Sequence, residues 1–367
     1  MTIESTTSGP SPLSRVWAGT RLFRPVLFLV IAMLVFFAIT QPVFFTAGNI
    51  FNVLTAAAPL WVVSMGMTLV VITGGVDLSV GATAALAGIF LAKTIEAGLP
   101  AWVALLLSVV FGAVVGALAN GLFIGWLRLS FFVVTIASMT TLTGIVNLWS
   151  NSRSFYLTDP LFSQISGGAL LGIPYPVCVM IVVFALFLYL ERRTFFGRDV
   201  FAVGGSFSAA RLSGIRTTRT IVLVYAISGA LGAVAGVLSS SRVGAATPQV
   251  DPSLPLLAVA AVLLGGTSLL GGLGSVVGTA LGVLFIGLLQ NGLSIAGIAS
   301  FWQQVITGVI LVAAVLGDRI SARRRPSRRQ RAADARAQAD AQAEARAEAA
   351  ADPVLAAGAE TEATGAR

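Results

Sequence analysis

Apolar residues run along the chain in blocks too long and too uniform for the one-sided faces of soluble helices. The first block covers Val26 to Ile39. Others cover Asn52 to Thr73, Leu78 to Ala92, Trp102 to Ile124, Phe131 to Trp149, Pro176 to Leu190, Thr220 to Ser239, Leu256 to Leu264, Val276 to Leu289 and Phe301 to Leu316. A helix needs about 20 residues to cross roughly 30 Å of hydrocarbon, so the pattern predicts an all-α polytopic membrane protein of about ten transmembrane helices. The blocks at Leu78, Leu256 and Val276 are short, which predicts re-entrant or broken helices among them. Replacing two spans by one re-entrant hairpin removes two crossings, so both termini are expected on the same side either way.

Composition agrees with that class. Of 367 residues, 56% are hydrophobic and only 10% charged, with 39 glycines among them; ordinary soluble domains carry about 25% charge. The formal charge of +8 is largely a matter of the tail, because ten of the 23 basic residues lie from Arg319 onward. That places the charge against an anionic membrane face, and no nucleic-acid partner is expected.

Short loops fix the orientation. With a cytoplasmic N-terminus, the inner loops hold Arg128, Arg192, Arg193, Arg198, Arg211, Arg216 and Arg219, whereas the outer loops hold only Lys93, Arg153 and Arg242. Both termini are therefore expected in the cytoplasm. Residues 1–24 read as a cytoplasmic N-terminal segment, and TQPVFFT after the first block offers no cleavage site, so that block is expected to stay as a span. Residues 25–318 form the membrane domain. Residues 319–367, first RRRPSRRQR and then Ala-rich, lack an apolar stripe wide enough to pack and read as a disordered tail anchored at the headgroups, or alternatively as a regulatory one.

Catalytic chemistry is poorly provided for. There is no histidine, and the single cysteine, Cys178, allows neither an internal disulfide nor a thiolate cluster. No cofactor, metal site or enzymatic activity is expected. GGTSLLGGLGS at 265–275 has the glycines of a phosphate loop without the lysine that would complete it.

Asp77 is the one acid inside an otherwise continuous apolar stretch, where an aspartate costs about 2.5–3.5 kcal/mol. Gly74, Gly75 and Ser79 around it allow the helix to unwind, so this segment is expected either to line a translocation path or to cap a new helix, two compatible roles. Asn120, Thr135, Asn147, Gln290, Asn291 and Gln303 are uncharged polar groups in or near spans, suited to a hydroxyl-rich solute or to interhelical bonding. Gly112 with Gly116, Gly121 with Gly125, Gly232 with Gly236, and Gly274 with Gly278 and then Gly282 provide the small-residue spacing of close helix packing. GGVDLSVG at 74–81 echoes GGTSLLGG at 265–272, a possible internal repeat.

The connection from Glu191 to Arg219 is too apolar for a linker and too charged for a span. Phe201, Ala202, Ala209, Ala210, Leu212 and Ile215 predict a short amphipathic helix there. It would serve a soluble motor on the cytoplasmic face, or lie as a loop held by anionic lipid.

Three segments together resemble the permease subunits of bacterial ATP-binding cassette importers for monosaccharides, the ribose, xylose and arabinose type. They are GMTLVVITGGVDLSVGA at 66–82, TFFGRDVFAVGGSFSAARLSGIRTTR at 194–219, and AVAAVLLGGTSLLGGLGSVVGTALGVLFIGLLQNGLSIAG at 258–297. Weaker similarity extends the resemblance over about residues 40–317. It implies a homodimeric pore in the cytoplasmic membrane, a separate cytoplasmic ATPase docked on each subunit, and an extracytoplasmic sugar-binding protein. It further implies that Gly197, Arg198, Ala202, Gly204, Gly205, Ala210, Arg211, Gly214 and Ile215 couple the chain to the ATPase. Gly74, Gly75, Asp77 and Ser79 would lie near the pathway, joined on their polarity by Asn120, Thr135, Asn291 and Gln303. The chain departs from the family pattern at Pro255 and Leu257, where acids are common, and at Ser206, where Asn is common. A permease for another solute, such as a branched-chain amino acid or nucleoside, is the alternative. An ion-coupled transporter would need more intramembrane carboxylates than Asp77.

Overall fold

The computed structural model describes residues 24–299 and helical positions at 301–303, 305–306, 308–309, 312 and 316. The expectations for residues 1–23 and for the tail at 319–367 lie outside the described residues. The described part is mostly helical. Its long helices are α1 (Arg24–Thr40), α2 (Ala47–Ile72), α3 (Val80–Glu96), α4 (Ala101–Gly125, with a π-helical turn at Gly116–Gly121) and α5 (Phe131–Ser150). There follow α6 (Pro160–Gly167), α7 (Tyr175–Arg193), α8 (Phe195–Gly205), α9 (Phe207–Leu212), α10 (Thr217–Val243), α11 (Ser253–Leu264) and α12 (Val276–Ile295). Two-residue strands pair β1 (Phe155–Tyr156) with β4 (Ala245–Ala246), and β2 (Ala169–Leu170) with β3 (Ile173–Pro174), both antiparallel.

Six of these helices, α2, α4, α5, α7, α10 and α12, are long and apolar enough to cross a membrane, while α1 and α11 are apolar but shorter. The block at Val276 was expected to be short. It continues as helix to Ile295 because Gln290 and Asn291 end the apolar run without breaking the hydrogen-bond ladder.

Burial sorts the helices into layers. In α2, 83% of the apolar window is buried, against 28% in each of α4, α5 and α7. The outer faces of these last three carry exposed Trp102, Leu106, Phe132, Val133, Ile181 and Val182, apolar surface of the kind that hydrocarbon covers. The inner helices α2 and α10 meet α3, α4, α11 and α12 through small residues. A Cβ at Gly112 would collide with the backbone of Gly229, and one at Gly278 with that of Gly265. Such close approach gives dispersion contacts where lipid supplies no hydrophobic drive.

The connection predicted as one short amphipathic helix is two. Ser206 separates α8 from α9, and its hydroxyl accepts from the Ala209 amide at 3.3 Å. A serine and an asparagine both serve as N-cap, so Ser206 keeps this function.

Candidate functional site

Two interrupted helices organise the bundle. α2 ends at Ile72 and the chain restarts at Val80; α11 ends at Leu264 and restarts at Val276. Both breaks open in the same way. Gly74, with φ of 83°, donates to Val71 O at 2.9 Å while Gly75 donates to Val70 O at 3.0 Å; Gly266, with φ of 86°, donates to Leu263 O at 2.9 Å while Thr267 donates to Val262 O at 3.2 Å. These are glycine-terminated helix ends in which the left-handed residue turns the chain aside. Each restart then reads Ser-Val-x-x-Thr, at Ser79–Thr83 and Ser275–Thr279. The internal echo is thus structural, in a register one residue from the one the glycines suggest: Gly74 matches Gly266, and Gly265 matches Thr73.

The two breaks touch. Gly272 donates its amide to Ile72 O at 2.8 Å, and Thr68 and Thr279 share a hydroxyl hydrogen bond of 2.7 Å between α2 and α12. The 265–275 glycines are therefore occupied in packing.

Asp77, 1% exposed, sits at the centre of the first break. Its Oδ1 accepts from the Ser79 amide at 3.0 Å, the Ser79 hydroxyl at 2.7 Å and Asn120 Nδ2 at 3.3 Å, and its Oδ2 accepts from the Ser228 hydroxyl at 2.7 Å. Asn120 also donates to Ser79 Oγ at 2.7 Å. Asn120 belongs to the π-helical turn of α4, whose wider backbone accompanies this inward placement. Four donors on one carboxylate form a knot joining α4, the break and the middle of α10, and satisfy the group that burial penalises. Thr135 Oγ1, Asn120 Oδ1 and the Tyr225 hydroxyl are buried without a hydrogen-bond partner among the described residues.

A cavity of about 710 Å³ lies toward the start of α2 and the end of α10. Polar wall groups include Asn52, Ser239, Ser240, Gln290, Asn291 and Gln303, and the charged groups on it are Arg242 and Asp251. Gly81, two residues beyond the knot, also borders it, which puts the first break next to the cavity floor. Asn291 and Asn49 exchange reciprocal amide hydrogen bonds of 3.0 Å, and Gln303 donates to Ile298 O at 3.1 Å.

Among the polar residues proposed for a pathway, Asn291 and Gln303 border this cavity, whereas Gly74, Gly75, Asp77, Ser79, Asn120 and Thr135 lie in the break and the packed interior around it. Sequence reasoning missed Asn49, Asn52, Ser239, Ser240, Arg242 and Ser228. The run Ser239–Ser240–Ser241 closing an apolar helix was the available signal.

At the other end of α10, which is about 40 Å long at 1.5 Å per residue, α8 rests on both breaks. Gly204 lies so close to Ile72 and Gly272 that a side chain there would overlap their backbones. Glu191, at the end of α7, accepts the Val276 amide at 2.9 Å and so caps α12. Gly204 and Glu191 thereby each bear on a helix break. Gly197 and Ala210 are buried, Ala202 and Ile215 are half-buried, and Gly214 takes φ of 82° in the turn after α9. Gly205, Arg198 and Arg211 are exposed, with Arg198 stacked on the Phe195 ring at 4.3 Å. Phe195 at 80% and Leu212 at 90% are exposed beside them. Exposed apolar side chains next to arginines are the kind of surface that a protein partner covers.

Residues 49–315 match the family described as the branched-chain amino acid transport system, permease component. The chain is 38% identical over 295 residues to the ribose import permease protein RbsC of Escherichia coli (strain K12), covering 78% of this chain and 92% of that one. It is 40% identical over 289 residues to the ribose import permease protein RbsC of Bacillus subtilis (strain 168), covering 78% and 89%. It is 33% identical over 293 residues to the D-allose transport system permease protein AlsC of Escherichia coli (strain K12), covering 80% and 90%. No solved structure matches the chain.

Proposed function

The chain belongs to the family of bacterial transport-system permease components that includes ATP-binding cassette sugar permeases, and on that footing we propose that it is the membrane subunit of a monosaccharide importer. It is a multi-pass protein of the bacterial inner membrane. The observation that carries the reading is the relation of cavity, break and coupling segment. A cavity with amide and hydroxyl walls ends next to a broken helix, and α8 presses on that break from the opposite end of the bundle.

In this reading the cavity faces outward and receives the sugar from an extracytoplasmic binding protein. Amides and hydroxyls exchange hydrogen bonds with a polyol without fixing an ion. A cytoplasmic ATPase docks on Phe195, Arg198, Arg211 and Leu212 and moves α8. Gly204 and Glu191 pass the movement to the two breaks, and the cavity floor opens toward the cytoplasm. The Asp77 knot keeps α3, α4 and α10 together while this happens. About ten helices, both termini in the cytoplasm and a pair of such subunits complete the arrangement, and hydrolysis takes place in the partner.

Arg242 and Asp251 on the cavity wall favour a second reading, a zwitterionic amino acid. Asp251 Oδ1 already accepts the Ser253 amide and hydroxyl at 2.8 and 2.6 Å, which weakens that reading. Uptake by cells producing this chain with its ATPase and binding protein decides between them. Saturable uptake of a labelled pentose or hexose is expected, and uptake of branched-chain amino acids without any sugar would contradict the proposal.

A further inference from the structure

A second crevice, of about 610 Å³, opens at the end of the bundle that carries α8; it shares Arg211 with the proposed ATPase face, while its other arginines take no part in the route above. Trp126, Arg128, Arg211, Arg216, Arg219 and Leu223 line it, from the end of α4, the loop after it, α9 and the start of α10. Four guanidinium groups border one opening. Among the described residues the salt bridge within 4 Å is Lys93–Glu96, on α3, so these arginines have no carboxylate partner there. The Arg128 guanidinium lies 5.1 Å from the centroid of the Phe207 ring, within cation–π range. The first turn of α10 forms part of the wall and adds the positive end of a helix dipole. Clustered cations repel one another and draw in an anion.

Apart from Thr217 and Thr218, the rest of the lining, Trp126, Ile215, Val222 and Leu223, is apolar. Trp126 is 66% exposed, and the surface continues along Leu127, Leu129, Phe132 and Val133, each at least 49% exposed. A tryptophan between arginines and exposed aliphatic groups marks the level of the lipid headgroups. An anion that fits this place carries its charge on one end and long apolar chains on the other.

We propose that this crevice binds an anionic phospholipid. Its phosphate is held by Arg128, Arg216 and Arg219, whose planar forks match phosphate oxygens, and its acyl chains lie along Leu223 and Trp126. Basic pockets between membrane helices on the cytoplasmic side suit such headgroups. An acidic segment of a soluble partner would satisfy the arginines yet leave the apolar wall uncovered. The inference rests on membrane placement alone and is independent of which solute is carried.

The test is native mass spectrometry of the full-length chain reconstituted in nanodiscs of phosphatidylethanolamine with and without phosphatidylglycerol. The wild type is expected to retain a phosphatidylglycerol through detergent release, and the Arg128→Gln/Arg219→Gln variant to retain it about tenfold less, the loss of one charge-assisted contact or more. Arg128→Lys, which keeps the charge and loses the fork, is expected to fall between and serves if the double variant does not fold. Equal retention by wild type and variants overturns the proposal. So does displacement of the lipid by excess inorganic phosphate, which would make this a free-phosphate site, or by the ATPase, which would make it a protein contact. A wild-type chain that retains the lipid yet takes up no sugar would bear on the transport reading only.

Discussion

Gly272 donates its amide to the Ile72 carbonyl at 2.8 Å, and that one hydrogen bond joins the two interrupted helices at the spot where Gly204 of α8 rests. The contact is backbone on backbone, with no side chain between the three segments to give way. A coupling element acting here moves both breaks at once.

Gly204 and Gly205 separate this contact from general loop damage. A methyl at Gly204 strikes Ile72 and Gly272, whereas nothing lies within 4 Å of one at Gly205. Overpacking of this sort costs about 1–3 kcal/mol. Gly204→Ala is expected to cut ATP-driven uptake at least about tenfold while the ATPase still hydrolyses ATP in the complex. Gly205→Ala is expected to keep uptake within about twofold of wild type. Equal loss in both would contradict the role given to Gly204.

Arg198 and Arg211 test the proposed ATPase docking face. Charge reversal, Arg198→Glu with Arg211→Glu, is expected to weaken complex assembly by about tenfold or more, since repelling partners at an interface cost several kcal/mol. Co-purification of the ATPase with the variant, together with uptake, measures this. Unchanged uptake would count against the docking surface.

The Asp77 knot is expected to act on stability first. Ser228→Ala removes one donor to the carboxylate and should cost about 1–3 kcal/mol, and Asp77→Ala, which orphans the Ser79 and Ser228 donors and leaves Asn120 only Ser79 Oγ as acceptor, should cost more. Thermal unfolding in detergent with tryptophan fluorescence gives the order. If Asp77→Ala unfolds like wild type but abolishes uptake, the residue belongs to the pathway and the anchor account fails.

The polar wall of the cavity makes a different prediction. Asn291→Leu breaks the amide pair with Asn49 and replaces a hydrogen-bonding wall with an apolar one. Uptake at low sugar should fall about 10- to 100-fold, as expected when one or two hydrogen bonds to a solute are lost, while complex assembly is retained. An unchanged concentration dependence of uptake would move the route elsewhere.

Much of the architecture was legible because lipid imposes long apolar blocks, and the interruptions at Gly74 and Gly265 advertised themselves through glycine and through Asp77. The ends were less legible. Gln290 and Asn291 halted the apolar run although the helix continues through them, since a helix ladder is indifferent to side-chain polarity on an inner face. The role of Asp77 depended on partners from distant parts of the chain: Ser228 is 151 residues away and Asn120 is 43 away, so no local pattern could reveal a knot. The cavity was hidden for the same reason, as Asn49 and Asn291 meet across 242 residues. Ser206 is the converse case, where a departure from the family pattern keeps the helix cap, because a cap is read locally.

Reconstitution into vesicles tests the central claim most directly, by comparing the purified chain alone with the chain joined to its ATPase, its binding protein and ATP. The account predicts that labelled sugar is concentrated inside only in the complete assembly, and only while ATP is hydrolysed on the cytoplasmic face. Accumulation against a gradient by the chain alone would contradict it.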